Sequence, residues 1–239
     1  GTKSEGTKHM HCFLILTITT VFFFLVLLYS LGITSIASFN AGFTVVNGTV
    51  SCKQDISAGV FYIRLKELMM IEQAKRSNKT VTGYTGQDLE SVIYDKADSF
   101  ESVFEFLFKH SGMSSKIKAY WGQDSIPMRL YIPGDNKSDV NSGRWKVSKM
   151  PLWDGYTLLN GIRDIAKIQS LDEVGANDLR TTSSFRTVFD NAPFEIITAL
   201  DTVALMHADL LSTTTDTLLV RVCVVFPFLV VAVIVLQLM

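Results

Sequence analysis

Trp121, Arg129, Tyr131, Arg144, Trp145 and Trp153, with Tyr120 and Tyr156 beside them, supply flat apolar rings and permanent positive charges within one short stretch of the chain. Such groups dominate interface hot spots and small-ligand pockets, so this stretch is the candidate ligand or partner surface. The competing reading is that Trp145 and Trp153 plug the base of a lobe into the body of the domain. Covalent and acid–base chemistry has no comparable candidate: the chain holds no Gly-rich phosphate loop, no Cys-X-X-Cys, no Gly-X-Ser-X-Gly and no His-Glu-X-X-His. His9, His11 and Cys12 have metal-ligating side chains but crowd a short tail, and His207 falls on an apolar stripe, where a packed histidine is the simpler reading. The chain is expected to be no enzyme and to need neither cofactor nor metal.

The elements that must position these residues are bounded by two apolar runs. Phe13–Gly32 has no charged residue in 20 positions, and Val222–Met239 has none in 18. At a rise of 1.5 Å per residue they reach about 30 Å and about 27 Å, the thickness of a bilayer's hydrocarbon core. Lys3 and Lys8 precede the first run, which places the N-terminus on the cytoplasmic side. The expected organisation is a cytoplasmic tail (1–11), a first transmembrane helix (12–33), an extracytoplasmic domain (34–216) and a second transmembrane helix (217–239). The chain is expected to continue into the cytoplasm beyond Met239. Arg221, at the mouth of the second span, is placed to reach the headgroups, and Gln237 to meet another helix.

Between the spans the sequence carries 19 Lys+Arg against 22 Asp+Glu, a mixed balance that offers nothing to nucleic acid. Cys52 is the lone cysteine of this segment, so no disulfide can close within it and a packed core must hold it. Asn47, Asn78 and Asn136 each begin an Asn-X-Ser/Thr triplet and are candidate glycosylation sites; Cys12 is a candidate for lipidation.

Residues 34–51 either continue the first helix outward or form an irregular neck. A helix over 55–77 follows, with Ile56, Val60, Ile63, Leu68 and Ile71 as its apolar positions, and then the clearest one, 87–110, with Leu89, Val92, Ile93, Phe100, Val103, Phe104, Leu107 and Phe108 at helical spacing. An irregular lobe (113–151) contains two short strands, 128–132 and 144–147, separated by Pro133-Gly134-Asp135-Asn136. A third helix is expected over 152–171. A last one starts near Asn177, is kinked at Pro193 and runs on into the second span. The expected fold is a mainly α membrane protein, with two transmembrane helices flanking an extracytoplasmic antiparallel helical bundle that carries a small β-hairpin lobe.

This layout resembles that of two-span sensory receptors: chemoreceptors, membrane histidine kinases and the TmcB-like membrane proteins of protists. Ser184-Phe-Arg-Thr-Val-Phe-Asp-Asn-Ala-Pro193 and the long helix after it look like the final pre-membrane helix of the TmcB-like group. The resemblance implies a plasma-membrane receptor whose ectodomain senses a ligand or partner and signals through the second span. The alternative is a structural or accessory subunit of a channel, a surface assembly or a respiratory-type complex. In either case the expected partners are the lipid bilayer and further copies or other chains that meet the helix stripes.

Overall fold

The computed structural model describes residues 2–74, 86–135, 143–158, 160–171 and 178–238. The chain is mainly helical, with one small antiparallel sheet and two long apolar helices. Helix α1 is Thr2–Ala74 and α7 is Ile197–Leu238. Both are long and apolar enough to cross a membrane. The neck question is thereby resolved: residues 34–51 continue the first helix, and Gly42 and Gly48 lie within it. The chain divides into two compact units, one made of residues 1–44 and 208–239, the other of residues 45–207.

In the first unit the outward-facing surface is apolar, with Phe22, Phe23, Leu25, Val231 and Ile234 among its exposed side chains. Three of its threonines bond within their own helix: Thr17, Thr19 and Thr20 donate to the carbonyls of Phe13, Ile15 and Leu16 at 2.9, 2.7 and 2.8 Å. Such bonds to the preceding turn let threonine sit in a medium that offers no water. Gly42 packs directly under the Leu211 side chain, where a Cβ would overlap it, so this close approach of α1 to α7 needs glycine. Pro227 lies inside α7 and removes the amide that would bond the Cys223 carbonyl.

The second unit is built on α1 from Val45 onward. Its buried positions Val45, Thr49, Cys52, Ile56, Gly59, Ile63, Lys66 and Met70 recur in alternating steps of four and three. That is the 3.5-residue seam of a coiled-coil face. Helix α2 (Gly86–His110) buries Leu89, Ile93, Ala97, Phe100, Phe104 and Leu107 on one stripe, and Lys109 and His110 complement the dipole of its last turn. Asp55 ties the two helices together: Lys96 reaches it at 2.9 Å and the Ser99 hydroxyl donates to it at 2.6 Å.

The stretch expected to be an irregular lobe contains a helix, α3 (Ser115–Gly122), whose Ile117 and Trp121 are buried one turn apart. The hairpin is present and longer than expected: β1 (Ile126–Ile132) pairs antiparallel with β2 (Arg144–Met150), Tyr131 opposite Trp145 and Arg129 opposite Val147. Gly143 lies against the Tyr131 ring, where any side chain would collide with it. The single helix expected over 152–171 is instead two, α4 (Leu152–Leu158) and α5 (Gly161–Lys167), with a turn at Asn160.

A short turn, Leu179–Thr181, is capped by the Asp178 side chain. Helix α6 (Ser183–Asn191) is capped in turn by the Thr182 hydroxyl, which accepts from the Phe185 amide. At Pro193 the backbone widens into one π-helical turn, Ala192–Ile196, before α7. A widened turn accommodates the missing proline N–H without ending the helix. Helix α5 packs on α2 and α6, and α6 packs on β1.

Candidate functional site

The six residues of the candidate surface do not form one surface. Trp121 is 1% exposed and belongs to the core. It meets the Phe104 ring edge-on with centroids 5.0 Å apart, and Phe104 stacks on Tyr156 at 4.5 Å. Trp153 is half-buried and joins the same cluster, 4.4 Å from Phe108 and 6.1 Å from Phe104. These contacts place the two tryptophans in the packing of α2 against α3 and α4.

Arg129, Tyr131, Arg144 and Trp145 lie together on the hairpin. Tyr131 is buried, while Trp145 is 42% exposed and Arg129 and Arg144 are exposed. The Arg186 guanidinium of α6 stands 5.3 Å from the Tyr131 ring centre and 5.4 Å from that of Trp145. It fixes the exposed tryptophan by cation–π attraction. Lys146, Val147 and Lys149 of β2 are also exposed. Alternation along the strands sends Arg144 and Lys146 to one face of the hairpin and keeps Trp145 and Val147 together with Lys149 and Arg129 on the other. A face of this kind suits an anionic partner with an apolar anchor.

Two residues that composition could not single out hold this hairpin in place. Asn191, fully buried, accepts the Arg129 amide at 2.6 Å and donates to the Arg129 carbonyl at 2.7 Å and to the Thr187 carbonyl at 2.6 Å. The side-chain amide thus mimics a neighbouring strand. Ser183, two helical turns earlier, donates to the Tyr131 carbonyl at 3.0 Å. Arg186 and Asp190, which at four residues apart look like an ordinary surface pair, are 3.9 Å apart. Burial raises the Asp190 carboxyl's pKa, with Arg186 and Arg129 opposing it. The sequence signal for this clamp was an asparagine on the inner face of a helix, which is costly there unless its amide has partners.

Ionisable groups also lie in the core. Glu67 has no exposure; Arg64 bonds one of its oxygens and the Arg180 guanidinium lies 3.2 Å from the other. Burial raises its pKa, while the two arginines lower it. Lys66 is 1% exposed and donates to the Ala166 carbonyl at the end of α5. His207 is 1% exposed, and neither ring nitrogen has a hydrogen-bond partner among the described residues. Burial lowers its pKa and the nearby His110 lowers it further. A depressed histidine pKa gives stability that is complete above the unfolded value near 6.5 and is lost as pH falls through the folded value. Relative to His207→Leu, the parent chain should therefore lose stability between pH 7 and 5, by up to about 1.4 kcal/mol per pH unit at the steepest point. Denaturant midpoints of the two proteins across that range check this; parallel curves would show that His207 does not titrate between the two states.

Asn47 is exposed on α1, but Thr49 of the same triplet is buried and donates to the Val46 carbonyl, so modification there would have to precede folding. Asn78 and Asn136 lie outside the described residues. Cys12 lies within α1. No cluster of three His, Cys, Asp or Glu side chains able to hold a metal ion occurs among the described residues. Comparison of the chain with protein-family models, with curated proteins and with solved structures gave no match.

Proposed function

We propose that this chain is the sensing module of a two-span membrane receptor. In this reading residues 12–33 and 217–239 cross the plasma membrane, the N-terminus is cytoplasmic, and residues 34–216 lie outside as a helical domain that meets a ligand or partner. The hairpin face around Trp145 is the recognition surface, and α7 is the transmitting element. The observation that carries the reading is the composition of α7. One helix, Ile197–Leu238, supplies Leu200, Val203 and His207 to the core of the second unit and an exposed, charge-free run to the first. A helix with both roles can convert a change in domain packing into a piston or rotation in the bilayer. The clamp at Asn191 lies directly before the π-turn that leads into α7, so a partner that loads the hairpin pulls on the root of that helix.

Cys223 is a natural reporter. It is exposed on α7, whereas Cys52 is buried, with its thiol pushed far up in pKa by burial and by Asp55. A nitroxide on Cys223 of the Cys12→Ser chain in vesicles should report a shallow hydrocarbon depth in power-saturation measurements. That depth should shift when Asn191→Leu releases the hairpin, and the shift should vanish when Asp209→Pro breaks α7. A label fully open to a water-soluble relaxant would sink the membrane reading. A membrane-embedded label whose depth ignores Asn191→Leu would sink the signalling reading and favour a static subunit.

A further inference from the structure

The first unit holds a cleft of about 260 Å³ between α1 and α7. Thr34, Ser35 and Ser38 of α1 and Thr213, Thr214 and Thr217 of α7 line it, with Arg221 one turn beyond Thr217 on the same face. All six hydroxyls already donate to the carbonyl four residues earlier. Their oxygens are therefore left as acceptors toward the cleft. Arg221 has the opposite character. It is exposed, with five N–H donors and no ion-pair or hydrogen-bond partner among the described residues. Its own helix offers no carboxylate within reach, because Thr217, Leu218, Val224 and Val225 occupy the positions three and four away. A second, mostly apolar cleft of about 230 Å³ shares Ser35, Thr214 and Leu218 with the first and is otherwise walled by Ile36, Phe39, Leu211 and Thr215.

From this arrangement we infer that the cleft is a binding site for one phospholipid whose headgroup carries hydrogen-bond donors. The inference rests on the membrane reading above. In that reading both walls of the cleft leave the hydrocarbon together: Thr34 follows the charge-free run that ends at Gly32, and Arg221 precedes the one that begins at Val222. Phosphate is the abundant anion at that depth, and a guanidinium takes its oxygens through paired, charge-assisted bonds. The hydroxyl oxygens then need donors. Glycerol hydroxyls or a primary ammonium supply them, and a trimethylated choline does not. The adjoining apolar cleft accepts an acyl chain of the same molecule. A free phosphate ester would satisfy Arg221 but leave that apolar cleft empty, which is why a lipid is the occupant.

The test uses the full chain in phosphatidylcholine nanodiscs doped with equal trace amounts of phosphatidylglycerol and phosphatidylethanolamine. The chain is extracted into mild detergent and its retained lipid is read by native mass spectrometry. Carbonate extraction and protease protection on the same preparations establish separately whether the chain is embedded. The expected result is one retained lipid, of the glycerol or ethanolamine class and not choline. Arg221→Gln should lower retention about tenfold or more. Arg221→Lys should keep part of it. The Thr34→Val, Thr213→Val and Thr217→Val triple variant should keep phospholipid but lose the discrimination against choline. An embedded chain with no selective retention, or with retention unchanged in Arg221→Gln, overturns the site and leaves the receptor reading standing. So does an acidic transmembrane protein that co-purifies only when Arg221 is present. A chain that carbonate removes from the membrane overturns both.

Discussion

Phe104→Ala should be the most damaging single truncation in the second unit, costing about 3–5 kcal/mol. Phe104 has no exposed surface and touches Phe100, Trp121, Trp153 and Tyr156, with ring centroids between 4.5 and 6.1 Å. Truncation removes the transfer free energy of the ring and also leaves a hole walled by four other aromatics. Those rings belong to separate elements, α2, α3 and α4, so collapse into the hole would have to move whole helices. Against a typical total of 5–15 kcal/mol, the loss is a large fraction of what holds a domain with no internal disulfide. Phe108, on the same helix but 42% exposed, is the control: Phe108→Ala should cost under half as much. Urea midpoints with near-ultraviolet circular dichroism as the probe compare the two. Equal losses would mean that the aromatic cluster is a surface feature and not the centre of the core.

Asn191→Leu should have the second largest effect, about 2–3 kcal/mol. Leucine keeps the branched heavy-atom skeleton of asparagine without any donor or acceptor, so the change removes the hydrogen bonds and adds some bulk at a buried site. It strips the Arg129 amide and carbonyl and the Thr187 carbonyl of their partners together. Unmade bonds of this kind cost more than the same bonds contribute when made, because the groups left behind keep their desolvation penalty. The damage should be local before it is global. Hydrogen exchange at Arg129 and Tyr131 should accelerate about tenfold to a hundredfold, while the α2 amides change only with overall stability. Uniform acceleration across both regions would show that Asn191 is an ordinary core position and that the hairpin is not separately docked.

Much of the local structure was legible in the chain. The stripe of α2 was readable because Leu89, Ile93, Phe100 and Phe104 are strong apolar residues at helical spacing. The hairpin was readable because Pro133-Gly134-Asp135-Asn136 punctuates two β-rich runs. The seam on α1 was harder to see, since Thr49, Cys52, Gly59 and Lys66 occupy half of its inner positions and none is a large hydrophobe. Helix α3 was missed because Ser115–Gly122 has only two inward residues, Ile117 and Trp121, too few to set a period. The division between α4 and α5 was hidden in the same way: Leu158, Ile162 and Ile165 keep helical spacing across the turn at Asn160.

Residue types mark the candidate surface as aromatic and basic, but types carry no information about which side of an element each residue occupies. Trp121 and Trp145 have the same chemistry. One is sealed against Phe104, and the other is held outside by a guanidinium from a helix some forty residues later in the chain. Arg186 and Asn191 were unremarkable as letters because their partners, Tyr131, Trp145 and Arg129, are distant in sequence.

By itself, then, the sequence determined two apolar segments, the helical character of most of what lies between them, one hairpin, and the absence of any disulfide from the domain. These follow from local quantities: hydropathy over about twenty residues, periodicity over about ten, and turn chemistry over four. Tertiary structure alone decided that the neck is helix, that the tryptophans part company, that Asn191 ties a strand to a helix, and that six hydroxyls and Arg221 share one cleft. Each of these depends on which distant residues meet, and whether a polar group is costly or useful depends on the partner it finds there.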